Sequence, residues 1–119
     1  MKTSAALAAL AALAQESRLA IFRHLVELGP EGSPVGPIGE RLRLPAATLS
    51  FHLKELTNAG LLVPRQDGRF IWYAADFETM NGLVAYLTEN CCGGNTAQCA
   101  TPCAPARPSR TTTRRRSAA

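Results

Sequence analysis

A mainly helical fold with a single β-hairpin is what this sequence predicts, and three observations carry that reading. Leucine-led apolar residues recur at intervals of three and four through most of the first 91 positions, the spacing of amphipathic helices. Two β-prone runs, 61–66 and 69–74, flank Asp67-Gly68, a dipeptide that favours a two-residue hairpin turn because both its positions then take positive φ. Four helical stretches precede that hairpin and one follows it, an order that narrows the architecture further.

The chain opens with Leu7, Leu10 and Leu13 among alanines. This predicts a first helix of high propensity whose narrow apolar stripe can pack on another chain as readily as on its own. A bend near Gln15 leads to a second helix over 17–28, with Ser17 as its cap, Leu19, Phe22, Leu25 and Val26 as its apolar face, and Gly29-Pro30 as its stop. Residues 30–37 hold three prolines and two glycines and read as a loop; a short third helix over 38–44 follows and ends at Pro45. A fourth helix is expected over 46–58, held by Leu49, Leu53 and Leu56 and stopped by Gly60. After the hairpin, Phe77, Met80, Val84, Leu87 and Cys91 alternate at spacings of three and four, the seam of a paired helix. The fifth helix should therefore dimerise, and a homodimer paired through the first and last helices is expected. From Gly93 onward apolar periodicity ceases, and such a segment cannot offset its ordering entropy. The division expected is a folded domain over 1–92 and a flexible, Cys-containing and Arg-rich tail over 93–119.

With 119 residues, 46% of them apolar and 18% charged, the chain has room for one small globular domain, which excludes a multidomain enzyme. No run approaches the roughly 20 apolar residues of a membrane span. The Ala/Leu-rich start, with one Lys, lacks a clear n-region and the break of a secretory signal and passes directly into Gln15-Glu16-Ser17-Arg18. A soluble, cytoplasmic protein with no membrane partner is expected. The net charge of +4 is unevenly placed: residues 104–119 carry five arginines and no acid, leaving eight bases against nine acids over 1–103. Overall basicity is thus poor evidence for a nucleic-acid partner, which must be sought in where the bases fall on the fold.

Two short helices joined tightly at Leu44-Pro45 and followed by a two-stranded hairpin make a winged helix-turn-helix, whose second helix lies in the DNA major groove. With the leucines of that helix turned inward, Thr48, Ser50, His52 and Lys54 are expected to meet base edges and phosphates. Arg65 and Arg69 flank the hairpin turn and are expected to reach the phosphate backbone or the minor groove. For any one of these residues the alternative is a solvated surface position and, for His52, packing on a neighbouring helix. No nucleophile, base and orienting group form a recognisable set, so the expected partner is double-stranded operator DNA and an enzyme is not expected.

All four cysteines lie between 91 and 103, as Cys91-Cys92, then Cys99 and Cys103. Cytoplasmic thiols stay reduced, so clustering points to a soft-ion site or redox chemistry rather than a disulfide framework. Adjacent Cα atoms are held about 3.8 Å apart, short of the usual disulfide range, and Cys91 and Cys92 should resist bridging one another. Structural zinc normally takes cysteines about two to four residues apart in a closed tetrahedron; a vicinal pair plus a third thiol beyond Gly93-Gly94 suits a pyramidal three-sulfur ion. Trivalent arsenic or antimony is the natural candidate, with zinc through all four cysteines and a merely oxidisable tail left open.

Residues 15–90 resemble the ArsR/SmtB family of dimeric winged-helix repressors, in Leu49-Ser50-Phe51-His52-Leu53-Lys54, in Asn58-Ala59-Gly60-Leu61-Leu62, and in the wing over 65–73. The resemblance implies a protein that sits on its operator until a metal or metalloid binds and then releases the DNA. Ser50 and His52 match positions where the family commonly has Ser and His, whereas Ala46-Ala47 stands where a Gln-Pro pair is common. Most arsenic-sensing members carry thiols near the start of the third helix, and 38–43 has none. A smaller group has Asn-Cys-Cys at the end of the fifth helix and a third Cys shortly after, and 83–92 followed by Cys99 is similar. The resemblance therefore implies Cys91, Cys92 and Cys99 as ligands of trivalent arsenic, with arsenite as inducer, antimonite as a second one, and Cys103 as an extra thiol. Some relatives bind zinc through carboxylates and histidines on the last helix. The only histidines, His24 and His52, lie elsewhere, so Asp76, Glu78 and Glu89 are not expected to form such a site. The implied function is a metalloid-responsive repressor, the alternative a thiol redox or zinc-responsive one.

Overall fold

The computed structural model describes residues 1–94; Cys99, Cys103 and the basic segment 104–119 lie outside the described residues. The chain divides into two compact units, Met1–Leu83 and Val84–Ala119, and the division expected at 92/93 falls at the edge of what is described.

In the first unit, α1 (Thr3–Leu13) buries Ala6, Ala9 and Ala12 and leaves Leu7 61% and Leu10 40% exposed. One row of alanines packs inward, whereas Leu7 and Leu10 face away from the rest of the chain. A 104° bend separates α1 from α2 (Glu16–Leu28). The cap of α2 is Gln15 rather than the expected Ser17. Gln15 has the extended backbone of an N-cap, and its side-chain oxygen accepts the Arg18 N–H at 2.9 Å. The buried face of α2 is Ile21, Phe22 and Leu25; Leu19, expected on it, is 43% exposed because its helical phase falls off that row.

The loop expected over 30–37 is shorter than its composition suggests. Ser33–Pro34 forms β1, and α3 runs from Val35 to Leu42, starting three residues ahead of the expected position. Pro37 fits inside the first turn of α3, where a missing N–H loses no intrahelical bond. Arg43 then takes a left-handed conformation (φ 58°) and the Leu44 N–H closes on Gly39 O at 3.0 Å, so the connection to α4 is tight. Helix α4 occupies Ala46–Asn58, as expected. It ends in a Schellman motif: Leu61 N–H donates to Leu56 O and Gly60 N–H to Thr57 O, both at 3.0 Å, with Gly60 at φ 82°.

Strands β2 (Leu62–Asp67) and β3 (Phe70–Ala75) form the hairpin, and β1 pairs on the other side of β3 in an antiparallel sheet of order β1-β3-β2. Asp67 pairs with Phe70, so the two turn residues are Gly68 and Arg69, one position beyond the expected Asp67-Gly68. Only Gly68 (φ 64°) is left-handed there, the pattern of a turn with glycine at its first central position. Gly32 is required for the third strand to dock: a Cβ at this position would stand 2.0 Å from the Tyr73 carbonyl oxygen. The core joins Ile21 and Leu25 of α2, Ile38 of α3, Leu49, Leu53 and Leu56 of α4, and Leu61.

Helix α5 (Phe77–Leu87) starts where the Asp76 carboxylate accepts the Thr79 N–H at 3.0 Å. It stops a turn earlier than the spacing through Cys91 predicts. Thr88 Oγ1 donates back to Val84 O at 2.9 Å, a bond that competes with helix propagation, and Asn90 is left-handed at φ 57°. A 3-10 turn, Cys91–Gly94, follows. No single described helix is long and apolar enough to cross a membrane.

Candidate nucleic-acid interface and thiol pair

Helix α4 buries Leu49, His52, Leu53 and Leu56, the i, i+3, i+4, i+7 row of one helical face. Thr48, Ser50 and Lys54 are exposed, as a base- and phosphate-reading role requires. His52 is the correction. It is 7% exposed, and its Nδ1 faces Arg18 Nη1 at 3.4 Å. A guanidinium only donates, so Nδ1 is the acceptor in that contact. Arg18 Nε also donates to Ala12 O at 2.7 Å, so one side chain ties the end of α1 to the inner face of α4. His52 is thereby a packing residue between helices rather than one facing out. The signal was present in the sequence, because position 52 completes the leucine row. The reverse holds for Phe51, which sequence reasoning passed over as part of a motif: it stands 55% exposed on the outer face.

On the hairpin, Arg69 lies in the turn itself, exposed, and among the described residues no hydrogen bond or ion pair holds it. Arg65 pairs across the strands with Trp72 and lays its guanidinium 5.2 Å from the centre of that ring. Its Nη1 is 3.9 Å from the Asp67 carboxylate and its Nη2 donates to Glu31 O at 3.3 Å. These contacts orient the arginine along the hairpin while half its side chain stays open to solvent.

In the second unit, the Cys91 N–H donates to Thr88 O at 2.9 Å, and left-handed Cys92 (φ 57°) turns the chain at the next residue. The two sulfurs approach to 3.7 Å, no farther than neighbouring Cα atoms, so both thiols project to one side. That is well beyond the roughly 2.05 Å of a disulfide. At this distance one thiol can donate a weak hydrogen bond to the other, and the same separation is compatible with two sulfurs on one soft ion, since two bonds of about 2.3 Å at a tetrahedral angle put their ends about 3.8 Å apart. Cys91 is half-buried and Cys92 exposed. Among the described residues no group of three or more His, Cys, Asp or Glu is placed to hold a metal ion; the third thiol expected to join the pair, Cys99, lies outside them.

A short helix, a tight turn, a second helix that exposes Thr48, Ser50 and Lys54, and a hairpin carrying arginines define a winged helix-turn-helix, a class of DNA-binding domain. Comparison with known proteins agrees. A family model described as a helix-turn-helix domain matches residues 13–65. An uncharacterized HTH-type transcriptional regulator of Bacillus subtilis (strain 168), YceK, is 47% identical over 58 residues, which span 49% of this chain and 57% of that protein. Among solved structures, an ArsR-like transcriptional regulator from Rhodococcus sp. RHA1 is similar at 28% identity and a TM-score of 0.61, over 71% of this chain and 76% of that one. A possible transcriptional regulator for arsenical resistance is similar at 29% identity and a TM-score of 0.57, over 66% of this chain and 78% of that one. The chain belongs to the ArsR/SmtB family of winged helix-turn-helix transcriptional regulators.

Proposed function

We propose that this regulator is a homodimeric repressor that holds operator DNA and releases it when trivalent arsenic is captured by Cys91, Cys92 and Cys99. The observation that carries the reading is the 3.7 Å approach of the Cys91 and Cys92 sulfurs immediately beyond α5. Arsenous acid exchanges its three hydroxyls for three thiolates, each step releasing one water that takes up the thiol proton, with no change of oxidation state. Antimonite undergoes the same exchange. The similarity to a possible transcriptional regulator for arsenical resistance supports the assignment.

Ser50 and Thr48 read base edges, and Lys54, Arg69 and Arg65, whose guanidinium lies over Trp72 with half its side chain open to solvent, contact phosphates. Dimerisation uses the uncovered apolar residues of two helices, Leu7 and Leu10 of α1 and Val84 and Leu87 of α5, all at least 40% exposed. Two recognition helices then address half-sites about 34–36 Å apart. Drawing Cys99 to the vicinal pair reorders the end of a dimer helix, and a coupling of about 1–3 kcal/mol suffices to shift operator occupancy five- to roughly 150-fold.

Fluorescence anisotropy of a labelled fragment of the gene's own promoter, titrated anaerobically with reduced protein and then with arsenite, tests this directly. Wild type binds and is released; Cys91→Ser and Cys92→Ser bind equally well and stay bound. Release that persists in both variants places the inducer site elsewhere. Release by zinc or peroxide but not by arsenite keeps the repressor and replaces its signal.

A further inference from the structure

The outer face of α4 is unusual for a surface that reads DNA. Opposite the buried row lie Ala47, Ser50, Phe51 and Lys54, again at i, i+3, i+4, i+7, and all are exposed. Arg and Gln, whose paired hydrogen bonds single out guanine and adenine, do not occur in α4, and its one Asn, Asn58, is the last residue of the helix, whereas base edges are met from the N-terminal end. The prominent group is instead the Phe51 ring, 55% exposed, whose one ring partner among the described residues is His52, with centroids 5.5 Å apart. Phe51 cannot turn inward, because Leu49 at 1% and Leu53 at 2% exposure fix the phase of the helix on either side of it. The face carries no acid between Ala46 and Lys54 and one base, Lys54 itself, as suits a polyanion. In the major groove the base edges offer one apolar group, the C5-methyl of thymine.

We infer that Phe51 is a specificity-determining residue whose ring, with the Ala47 methyl one turn before it, packs on the C5-methyl of a thymine in each half-site. The inference rests on the operator-binding reading of α4. Leu49, His52 and Leu53 present the ring, Ser50 and Lys54 beside it supply the polar contacts, and sequence preference comes from excluding water between ring and methyl.

The test starts from a duplex enriched from random sequence by the full-length protein. Each thymine is then replaced in turn by deoxyuridine, which deletes the methyl and keeps every hydrogen-bonding group. Wild type should lose about fourfold in affinity at one thymine per half-site, the worth of one buried methyl-sized group, and be indifferent at the others. Phe51→Ala should bind thymine and deoxyuridine duplexes alike. Phe51→Leu, an apolar replacement at an exposed position, should keep part of the discrimination and controls for folding. Wild-type indifference to deoxyuridine throughout a specifically bound site overturns the inference, as does a full penalty retained in Phe51→Ala. Failure to enrich any sequence removes the operator reading itself, and the inference with it, and is plainly distinct from either result.

Discussion

Helices α1 and α4 both carry leucines at helical spacing, and the fold treats them oppositely. Helix α4 turns Leu49, Leu53 and Leu56 into the core, none more than 2% exposed, whereas α1 turns Ala6, Ala9 and Ala12 inward and leaves Leu7 and Leu10 in solvent. The difference lies in what each helix packs against. Helix α4 must fill the space between α2, α3 and the hairpin, which takes leucine volume. Helix α1 lies against α2 and α4 through alanines, which allow close approach, and Arg18 holds its end by donating from Nε to Ala12 O at 2.7 Å. A leucine row therefore marks a surface to be covered, and only its neighbours reveal whether the cover is the same chain.

The contrast predicts substitution effects of different size. Leu53→Ala should produce the largest, about 2–5 kcal/mol of lost stability, because it opens a cavity in a close-packed core; urea unfolding at fixed chain concentration measures it. Ala9→Leu should come next. Ala9 is fully buried, and forcing added methylenes into a packed contact costs about 1–3 kcal/mol. If Ala9→Leu were instead neutral, the alanine face of α1 would not be the close contact described and the comparison would break.

Much of this was readable in the sequence. The order of five helices and a hairpin and the bounds of α4 follow from periodicity and from Gly60, whose left-handed position closes a Schellman motif. Other features depended on context that a one-dimensional pattern does not carry. Pro37 reads as a loop residue until its place in a first helical turn is known. Asp67-Gly68 reads as the turn until the Asp67–Phe70 pairing moves it by one residue. His52 reads as a polar reader until its phase is set beside Leu49, Leu53 and Leu56. Within the candidate sites, the exposure of Thr48, Ser50 and Lys54 followed from the leucine row. The placement of Arg65 over Trp72 did not, because cross-strand register decides it.

The smallest effect on the protomer should come from the exposed leucines, and it sharpens the contrast most. Leu7→Ser with Leu10→Ser alters side chains that the protomer leaves 61% and 40% exposed, so the intrinsic stability of the single chain should change by no more than about 0.5 kcal/mol per site. Association should nevertheless fail. In sedimentation, wild type is expected to move as a dimer and the double variant as a monomer, and the rise of the wild-type unfolding midpoint with chain concentration should vanish. The variant should still bind a single half-site weakly, because α4 and the wing are intact, but lose its dependence on half-site spacing. A double variant that unfolds as readily as Leu53→Ala would make Leu7 and Leu10 part of the protomer's own core. One that keeps the wild-type mass would move the dimer surface away from α1, leaving α5, with Val84 and Leu87 uncovered, to carry the pairing alone.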